Sequence, residues 1–577
     1  MQLRLQHILL GLLAGMFFWA LDNQLQQRLP IDAHGQFGVS VLGTVFFATA
    51  LAMLGEIGWR RAFGAAALIA VPVALLGWWA SLGYAPSETL AGYMPYELLA
   101  LSVLAMLPMP FAMAVAQGGG RAWNDYPALF LHAWNIVVRY AAACIFLGMV
   151  WLVLYLSARL LESVDLDFLR QLLREKLFAF AVSGGILGLG LAVVTELEEM
   201  ISPTLILRLL RLLLPPVLLV AVIFVAGFIA RRGEVSLIGF SQIETLLAMA
   251  AAAVTLISIG IERDDESAVR ARVLRLSAQG LALVLPVLVG AAAWTGWQSV
   301  TAQGWTPGRV AQAVLIVLLA GYALGYAGSV LLGRGWMVRL RRINIAMAGV
   351  LLLAALAWLT PVLDANGVAA RSQLALYREG RITAGALPLY ALKNHWGLAG
   401  QAAFAELETQ AGDDRALATA LARLSPSADG AEGASAARAQ LRRDLVLPPG
   451  AKAPEDALLD AIRARAPEVA AGLCASAEGA AANCALIEAD FLSDVPGDEA
   501  MVLLHLPDRD AIYVLRQSNG AWDSIGWGSV VDAQGEPRFR VDLAPVIAAI
   551  KRGEMQLSPS GIMALEAGGL RLLPLSR

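Results

Sequence analysis

The feature that most constrains this chain is a series of long apolar runs through its first 360 or so residues. A helix of about 20 apolar residues crosses roughly 30 Å of hydrocarbon. About eleven runs are close to this length. They lie at residues 6–21, 38–56, 63–83, 95–116, 135–158, 177–195, 212–230, 243–261, 278–298, 309–332 and 343–361. Such a chain is expected to fold as a bundle of membrane-spanning helices, because a helix satisfies its own backbone hydrogen bonds in lipid.

Composition supports the same conclusion and separates a second region. Hydrophobic residues make up 58% of the 577 residues and charged residues only 15%, whereas soluble domains have about 45–50% and 25%. The formal net charge of −3 gives no reason to expect nucleic-acid binding. The last third of the chain has the composition of a soluble protein. The predicted fold class is therefore mainly α, a polytopic membrane helical bundle with a C-terminal soluble α+β domain.

Pattern changes give the predicted domain boundaries. Helical periodicity continues after the last apolar run, as in Leu389 to Glu408, and stops at a Ser/Ala/Gly-rich stretch. From Ala485 the pattern becomes short alternating runs, which are typical of an antiparallel sheet. The prediction is a transmembrane helical domain at 1–361, a helical extracytoplasmic segment at 362–424, a linker at 425–452 and an α+β domain at 453–577.

Arginine distribution and cysteine usage both predict the orientation. With the N-terminus inside, most arginines of the short loops lie on the cytoplasmic side. Cys474 and Cys484 are the only cysteines of the tail, and their spacing suits a disulfide in an oxidising compartment; two unrelated buried thiols are the alternative. The prediction is a multi-pass inner-membrane protein with a cytoplasmic N-terminus and a periplasmic C-terminal domain.

Charged residues near the ends of several runs form the candidate intramembrane polar site. A charge in a membrane is costly unless it is paired or faces water. One interpretation is a polar cavity in which Arg139 meets a carboxylate, for passage of an ion or solute. The other is that each side chain reaches the headgroups from a span end. The candidates are Arg139, Glu196, Glu198 and Glu244.

The sequence contains no catalytic signature, neither a nucleophile elbow nor a zinc-protease, phosphate-loop or paired-cysteine motif. Its five histidines show no metal-ligand spacing. We therefore predict no catalytic residue, no cofactor and no metal site.

A polar clause, "GWTPGR", precedes the tenth apolar run. Glycine allows a tight turn, tryptophan suits the membrane interface, threonine can cap a helix and proline can begin one. We expect a helix start, with Glu162 or Asp165 as partners of the arginine. The residues of this clause are Gly304, Trp305, Thr306, Pro307 and Arg309.

The same clause carries a family resemblance. Together with "IERDDESAVRARVLR" before it and "YALKNHWGLAGQAAFAEL" after it, it resembles the bacterial multi-pass membrane family catalogued as domain of unknown function 4153. The resemblance implies a many-helix membrane region followed by a tail. It implies no reaction, cofactor or site residue.

Three functions remain open from the sequence. The first is a non-enzymatic envelope sensor or assembly protein whose tail binds a periplasmic or envelope protein, because a soluble domain exists without a catalytic constellation. The second is a transporter or channel for a small solute or lipid. The third is a membrane enzyme acting on lipid-linked substrates. The expected partners are membrane lipids and an envelope protein, without nucleic acid.

Overall fold

The computed structural model describes most of the chain. It covers residues 2–22, 31–86, 90–162, 164, 166–196, 203–230, 242–264, 271–412, 414–424, 431–466, 469, 474, 483–491, 499–505, 510–518, 521–527, 529–531, 537–538, 542–559, 563–567 and 570–573. Two compact units are present. The first contains the described residues of 1–235, 243–372 and 396–399, and the second those of 236–242, 373–395 and 400–577.

The first unit is built from helices. Eleven spans in the described residues are long and apolar enough to cross a membrane, which confirms the predicted multi-pass bundle. The helices are α1 (Gln2–Ala20), α2 (Ala33–Ile57), α3 (Trp59–Ser81), α4 (Leu90–Tyr93), α5 (Pro95–Met106), α6 (Pro108–Gly118), α7 (Tyr126–Glu162), α8 (Phe168–Arg174), α9 (Lys176–Glu196), α10 (Pro203–Arg211), α11 (Leu214–Ala230), α12 (Gln242–Ile261), α13 (Arg272–Gln303), α14 (Pro307–Leu331) and α15 (Trp336–Trp358). Short α4, α8 and α10 connect or extend the spans.

Prolines interrupt two of the spans. α5 ends at Met106 and α6 begins at Pro108, so the fourth span consists of two helices. The seventh span is likewise divided, because α11 begins at Leu214 immediately before Pro215 and Pro216. Proline lacks the backbone N–H that an uninterrupted helix needs but is tolerated in the first helical turn.

The first unit has two apolar cores. One is formed mainly by α1 to α7 and α9, with buried Met53, Leu101 and Met113. The other is formed mainly by α10 to α15, with buried Leu246 and Leu285. α7 and α15 contribute residues to both cores, and they therefore join the two halves of the bundle.

Close backbone packing joins α1 to α9. A Cβ atom built on Gly11 would lie 2.0 Å from the carbonyl oxygen of Gly184, and one on Gly188 would lie 2.2 Å from that of His7. Such small-residue faces allow helices to approach closely in lipid, where no hydrophobic effect drives helices together. Opposite ends of the two helices are paired as well, by Lys176 with Asp22 across 2.7 Å. α1 and α9 are therefore antiparallel.

The second unit combines short helices with two antiparallel sheets. Its helices follow α16 (Ala365–Arg378), which begins in the first unit, and are α17 (Leu389–Asn394), α18 (Gly397–Gln410), α19 (Arg415–Leu424), α20 (Ala431–Asp444), α21 (Asp456–Arg465) and α22 (Ala544–Arg552). The strands are β1 (Cys484–Ala489), β2 (Glu499–His505), β3 (Asp510–Ser518), β4 (Ala521–Trp527), β5 (Ser529–Val531), β6 (Pro537–Arg538), β7 (Met555–Pro559), β8 (Met563–Ala567) and β9 (Leu570–Leu573). They form a four-stranded sheet in the order β1-β2-β3-β4 and a five-stranded sheet in the order β6-β5-β9-β8-β7.

Both faces of the four-stranded sheet are covered. Leu486 and Val502 pack with Leu458 and Leu459 of α21 on one face. On the other face, residues of β1, β2 and β3 pack with α22. The near-continuous apolar runs of β1 and β2 reflect this burial on two sides. The α+β fold predicted for the tail is thus present, with a second sheet in addition to the predicted one.

The segment 425–452 differs from its predicted description as a linker. Residues 425–430 lie outside the described residues, but Ala431–Asp444 forms α20. Alanine is the strongest helix former, and Arg438 of α20 pairs with Asp456 and Asp460 of α21 across 3.2 and 3.3 Å. Small-residue composition therefore conceals a helix that packs on the rest of the tail.

Candidate functional site

One candidate site is a cleft between α2 and α5 in the first unit. Its volume is about 640 Å³, within the roughly 300–1,000 Å³ range of small-molecule pockets. The lining contains no charged side chain. It consists of Ala33, Gln36, Phe37, Ser40, Val41, Thr44, Val45, Ala48, Thr49, Leu90, Ala91, Leu98, Leu101, Ser102, Ala105, Met106 and Met109.

The cleft is open on one side and closed at one end. Thr44, Ser102 and Met106 are exposed, and they border its opening along the bundle surface. Thr49 of α2 and Met109 at the start of α6, which also line it, are buried. Because both helices lie in candidate membrane spans, the opening faces the region that lipid hydrocarbon would occupy.

Four hydroxyl groups, those of Ser40, Thr44, Thr49 and Ser102, are spaced along the apolar walls. Ser40 donates to the carbonyl of Gln36, Thr44 to that of Ser40, and Ser102 to that of Leu98, each at 2.8 Å. These local bonds satisfy the donors inside a membrane helix. Each hydroxyl oxygen keeps acceptor capacity, so the cleft offers weak polar contacts without charge.

Arg139 is buried in an ion pair that sequence reasoning did not identify. Its Nη2 lies 2.6 Å from Oε1 of Glu56, and the side chains are 7% and 15% exposed. Glu56 stands in the last turn of α2, where Gln117 of α6 donates to Oε2 at 3.2 Å. Arg139 therefore meets a carboxylate outside the predicted set.

The predicted carboxylates are dispersed. Glu196, at the end of α9, accepts from Nε of Arg4 at 2.7 Å. Glu244, in the first turn of α12, acts electrostatically on the hydroxyl of Tyr96. Glu198 lies outside the described residues. Arg139 and these carboxylates thus do not form one cavity in the part of the chain that the structure describes.

A half-buried carboxylate missed by the sequence analysis, that of Glu97, lies at the start of α5. Oε1 of Glu97 accepts from the Tyr84 hydroxyl at 3.0 Å, and Asn366 donates to that hydroxyl at 2.9 Å. Oε2 of Glu97 is buried without a hydrogen-bond partner among the described residues. Burial, followed by the Glu97 charge, raises the pKa of Tyr84 well above its ordinary value. In the sequence, the position of Glu97 at the very start of an apolar run was the feature that could have indicated this site.

Two of the three clauses that carry the family resemblance, the one that contains Gly308 and the one that contains Gly397 and Leu398, lie close to Tyr84 and Tyr96. A Cβ on Gly308 would lie 2.8 Å from the Tyr96 hydroxyl. Leu398, in the second clause, donates its N–H to the carbonyl of Gly83 at 2.8 Å. Gly397 adopts a φ of 58° beside the same carbonyl, a conformation that favours glycine. The clauses therefore pack beside the ends of α3 and α5.

The clause itself forms the turn between α13 and α14. Gly304 ends α13 with a φ of 73°, and the Thr306 side chain accepts from the N–H of Arg309 at 3.3 Å. Pro307 is the first residue of α14. The N–H of Trp305 donates to Ser372 at 3.0 Å. Each position thus has the local role expected at a helix start.

Arg309 differs from expectation in its partners. Its Nη1 donates to the carbonyls of Gly304 at 2.7 Å and Gln303 at 3.3 Å, at the end of α13. Of the carboxylates suggested for it, Glu162 pairs with Arg159 and Arg170, and Asp165 lies outside the described residues. The guanidinium therefore satisfies terminal helix carbonyls and complements the negative end of the helix dipole.

Arg211, Glu262 and Arg341 form a buried triad. Arg211, at the end of α10, donates to the Glu262 carboxylate. Arg341 of α15 donates to the carbonyls of Ile261 at 2.7 Å and Glu262 at 3.2 Å. All three charged residues are less than 9% exposed. The triad joins α10, α12 and α15. It could not be recognised in the sequence because its three members lie far apart along the chain.

Hydroxyl and amide groups continue this polar core. Asn344 of α15 donates to Tyr126 at 3.0 Å and to Ser258 at 3.3 Å. It accepts from the hydroxyl of Tyr326, a fully buried side chain that is also bonded to Ser258. Buried networks of this kind fix helix positions when their members are satisfied. This one links α7, α12, α14 and α15.

In the second unit, the structure bonds Cys474 to Cys484, the pair that the sequence suggested. It also brings together three potential metal ligands, His505, Asp510 and Asp542, which the histidine spacing did not reveal. His505 and Asp510 are paired across β2 and β3, with 2.7 Å between Nδ1 and Oδ1. The two side chains are therefore hydrogen-bonded to each other.

Asp510 also fixes the start of α22. Its Oδ2 accepts from the N–H of Leu543 at 3.1 Å, and Asp542 accepts from the N–H of Ala544 at 2.9 Å. Burial raises the pKa of Asp510, although the hydrogen bond from His505 opposes this effect. Anchoring the helix explains the contacts of both aspartates.

No family model matches the chain, and no match was found among curated proteins or solved structures. The indications of function therefore come from the cleft and the polar contacts described above.

Proposed function

We propose that this chain is a multi-pass membrane protein that binds the acyl chain of a bilayer lipid in the cleft between α2 and α5. The cleft itself carries the proposal: it is large, uncharged and open along the surface of two candidate spans. An acyl chain matches its apolar walls, and the hydroxyls of Ser40, Thr44 and Ser102 suit weak contacts with a lipid ester. The function is lipid handling within the membrane.

Charge distribution favours lipid over an ion or a polar solute. A path for ions through a bilayer needs charged or carbonyl ligands along it. Arg139 is instead occupied by Glu56, and Glu244 is not among the residues that line the cleft. The residues that line the cleft offer Gln36 and hydroxyl groups as their polar side chains.

The envelope-partner hypothesis has less support from geometry. A sheet could present a docking face, but α21 covers one face of the four-stranded sheet and α22 the other. Binding of a periplasmic partner by the tail stays a prediction.

Location and family membership are part of the proposal. The cytoplasmic N-terminus and periplasmic tail are supported by the arginine distribution and by the Cys474–Cys484 bond, since disulfides persist in oxidising compartments. The inner membrane of an envelope-bearing cell fits both observations. The resemblance to domain of unknown function 4153 rests on the quoted clauses.

The test uses the full chain in nanodiscs that contain a phospholipid with a photoreactive group on its acyl chain. Crosslinked peptides are mapped by mass spectrometry. We expect crosslinks concentrated on the cleft walls of α2 and α5, and we expect Ser102→Trp, which fills the opening, to reduce them severalfold. The matched control is Leu99→Trp on the same helix, where Leu99 is 64% exposed and does not line the cleft.

The distribution of crosslinks in the two variants distinguishes binding in the cleft from general contact with lipid. Crosslinks at the cleft that fall in Ser102→Trp but persist in Leu99→Trp support the proposal. Crosslinks spread evenly around the lipid-facing surface, or unaffected by Ser102→Trp, contradict it. Size-exclusion profiles and unfolding midpoints of both variants establish that they fold.

A further inference from the structure

A second feature, independent of the cleft, lies where α10, α12 and α15 meet. The Arg211–Glu262–Arg341 triad places two guanidinium groups at one glutamate in a buried position. Arg341 is directed to the terminal carbonyls of α12, and Arg211 to the Glu262 carboxylate. The triad fixes three chain segments beside one another.

Each member of the triad has an exposed arginine beside it in the sequence. Arg208 lies one helical turn before Arg211, is exposed and acts electrostatically on it. Arg263 follows Glu262, with 45% of its side chain exposed, and Arg342 follows Arg341 and is exposed. Because the triad holds their segments together, these three arginines form a rim around it. We call Arg208, Arg263 and Arg342 the arginine rim.

The acids nearby do not balance this charge. Among the described residues, Glu262 is engaged within the triad and Asp264 pairs with Arg263 across 3.3 Å. The sequence after α12 carries further acids, Asp265 and Glu266, and it continues with the basic residues Arg270, Arg272 and Arg275. Arg334, just before α15, and Arg339, in the first turn of α15, add further positive charge. A surplus of positive charge therefore remains at this end of the three helices.

Two of the three rim arginines lie at the ends of candidate spans, where the headgroup region of a bilayer is expected. The candidate spans begin at Leu207 and Trp336 and end at Ile261, so Arg208 and Arg263 lie within two residues of a span boundary. Arginine suits phosphate because its planar, permanently charged fork donates several hydrogen bonds at once.

We propose that the arginine rim binds a phosphate group carried by an anionic ligand. The source with the best access is the headgroup of an anionic phospholipid, and a free phosphate anion offers the same chemistry. The buried triad preorganises the rim, and the exposed arginines supply the contacts. This site is distinct from the cleft between α2 and α5, so its test does not depend on lipid binding there.

The experiment uses the full chain in nanodiscs and compares the wild type with Arg208→Gln/Arg342→Gln. In one arm, phosphatidylglycerol is titrated into phosphatidylcholine nanodiscs, and retained anionic lipid is counted by native mass spectrometry. In the other arm, inorganic phosphate is titrated into phosphatidylcholine nanodiscs and the unfolding midpoint is followed. The control is Arg159→Gln/Arg371→Gln, which removes two exposed arginines, 59% and 70% accessible, from the last turn of α7 and from α16, away from the rim.

In the lipid arm we expect the wild type and the control to retain phosphatidylglycerol. The rim variant should bind it about tenfold more weakly, since each basic residue near an anionic surface contributes on the order of 1 kcal/mol. Stabilisation of the wild type by inorganic phosphate, lost in the rim variant, would also support the site and would identify a soluble phosphate as its source. Equal behaviour of wild type and rim variant in both arms would overturn the proposal. An equal loss in the control would do the same, because general charge would then explain the binding.

Discussion

Arg139 of α7 and Glu56 of α2 form a buried ion pair, 83 residues apart in the sequence and 2.6 Å apart between Nη2 and Oε1. Gln117 of α6 bonds the same glutamate, so one carboxylate joins three helices. Buried pairs of this kind cost much when broken, because the remaining charge loses its partner in a medium of low dielectric constant.

Removing one partner should therefore destabilise the bundle strongly. We expect Arg139→Met to lower the free energy of unfolding by about 3–5 kcal/mol, because Glu56 is left buried without its cation. The double variant Arg139→Met/Glu56→Gln should regain part of this loss. Unfolding by sodium dodecyl sulfate in mixed micelles measures both.

The matched control is Arg159→Met, whose pair with Glu162 is 59% and 31% exposed. Exposed pairs contribute about 0–1 kcal/mol, so this variant should unfold almost like the wild type. Equal loss in the single and double variants at Arg139 and Glu56 would show that the pair itself does not stabilise the bundle.

The contact between α1 and α9 predicts an unusual sensitivity to a single methyl group. Gly11→Ala should lower the unfolding midpoint clearly, since the new Cβ would meet the Gly184 carbonyl at 2.0 Å and the helices would have to separate. Thermal unfolding in detergent gives the measurement.

Gly148→Ala in α7 is its control, because no atom lies within 4 Å of a Cβ at that position. Alanine favours a helix over glycine by roughly 1 kcal/mol, so this variant should be neutral or slightly more stable. If Gly11→Ala behaves in the same way, the backbone approach is not important for stability.

These contacts show what the sequence could and could not predict. Span positions were predictable because hydrophobic length is a local signal; the structure places eleven candidate spans where apolar runs were recognised. The role of Thr306 and Pro307 was also local. The partner of Arg139 was not predictable, since nothing in the spacing of Glu56 and Arg139 marks them as neighbours. The rim and the triad were hidden for the same reason.

The tail illustrates a second limit. β1 to β4 were predicted from short strand-like runs, although β1 and β2 are apolar on both faces rather than alternating. The strands of the second sheet are only two to five residues long, too short for a pattern to emerge. α20 was concealed by its Ala, Gly and Ser content. His505 and Asp510 come together through strand register, which depends on tertiary packing.

Asp510 predicts a pH dependence for the tail. Burial raises the pKa of its carboxyl above the ordinary value, which is about 3.9 in an unfolded chain. Folding then favours the protonated form. The contribution of this group is fully present below the unfolded pKa and is lost as pH rises through the higher folded pKa.

Asp510→Asn should therefore flatten the stability profile of the tail on the alkaline side of pH 4. Chemical unfolding followed through tail tryptophan fluorescence at a series of pH values measures this slope. Asp460→Asn, at an exposed position of α21, serves as the control and should keep the wild-type slope. An unchanged slope in Asp510→Asn would assign the pH dependence to other groups.

The turn between α13 and α14 gives a prediction that separates the effect of the Thr306 hydroxyl group from that of its methyl group. Thr306→Val removes the acceptor for the N–H of Arg309 and should cost about 0.5–2 kcal/mol, the usual range for a lost helix N-cap. Thr306→Ser keeps the acceptor and should cost much less. A larger loss in Thr306→Ser than in Thr306→Val would mean that the threonine methyl group, which valine keeps and serine lacks, rather than the cap, is what stabilises this turn.

The disulfide gives a test of orientation that is independent of arginine counting. In a Cys144→Ser background, Cys474 and Cys484 are the remaining cysteines. The experiment uses cells with a permeabilised outer membrane and an intact inner membrane. If the tail lies outside the cytoplasm, these cells should show no labelling by a membrane-impermeant maleimide until a mild impermeant reductant is added, and strong labelling afterwards. Labelling that appears only after the inner membrane is disrupted would place the tail in the cytoplasm, and labelling without reductant would show that the two thiols are not bonded in the cell.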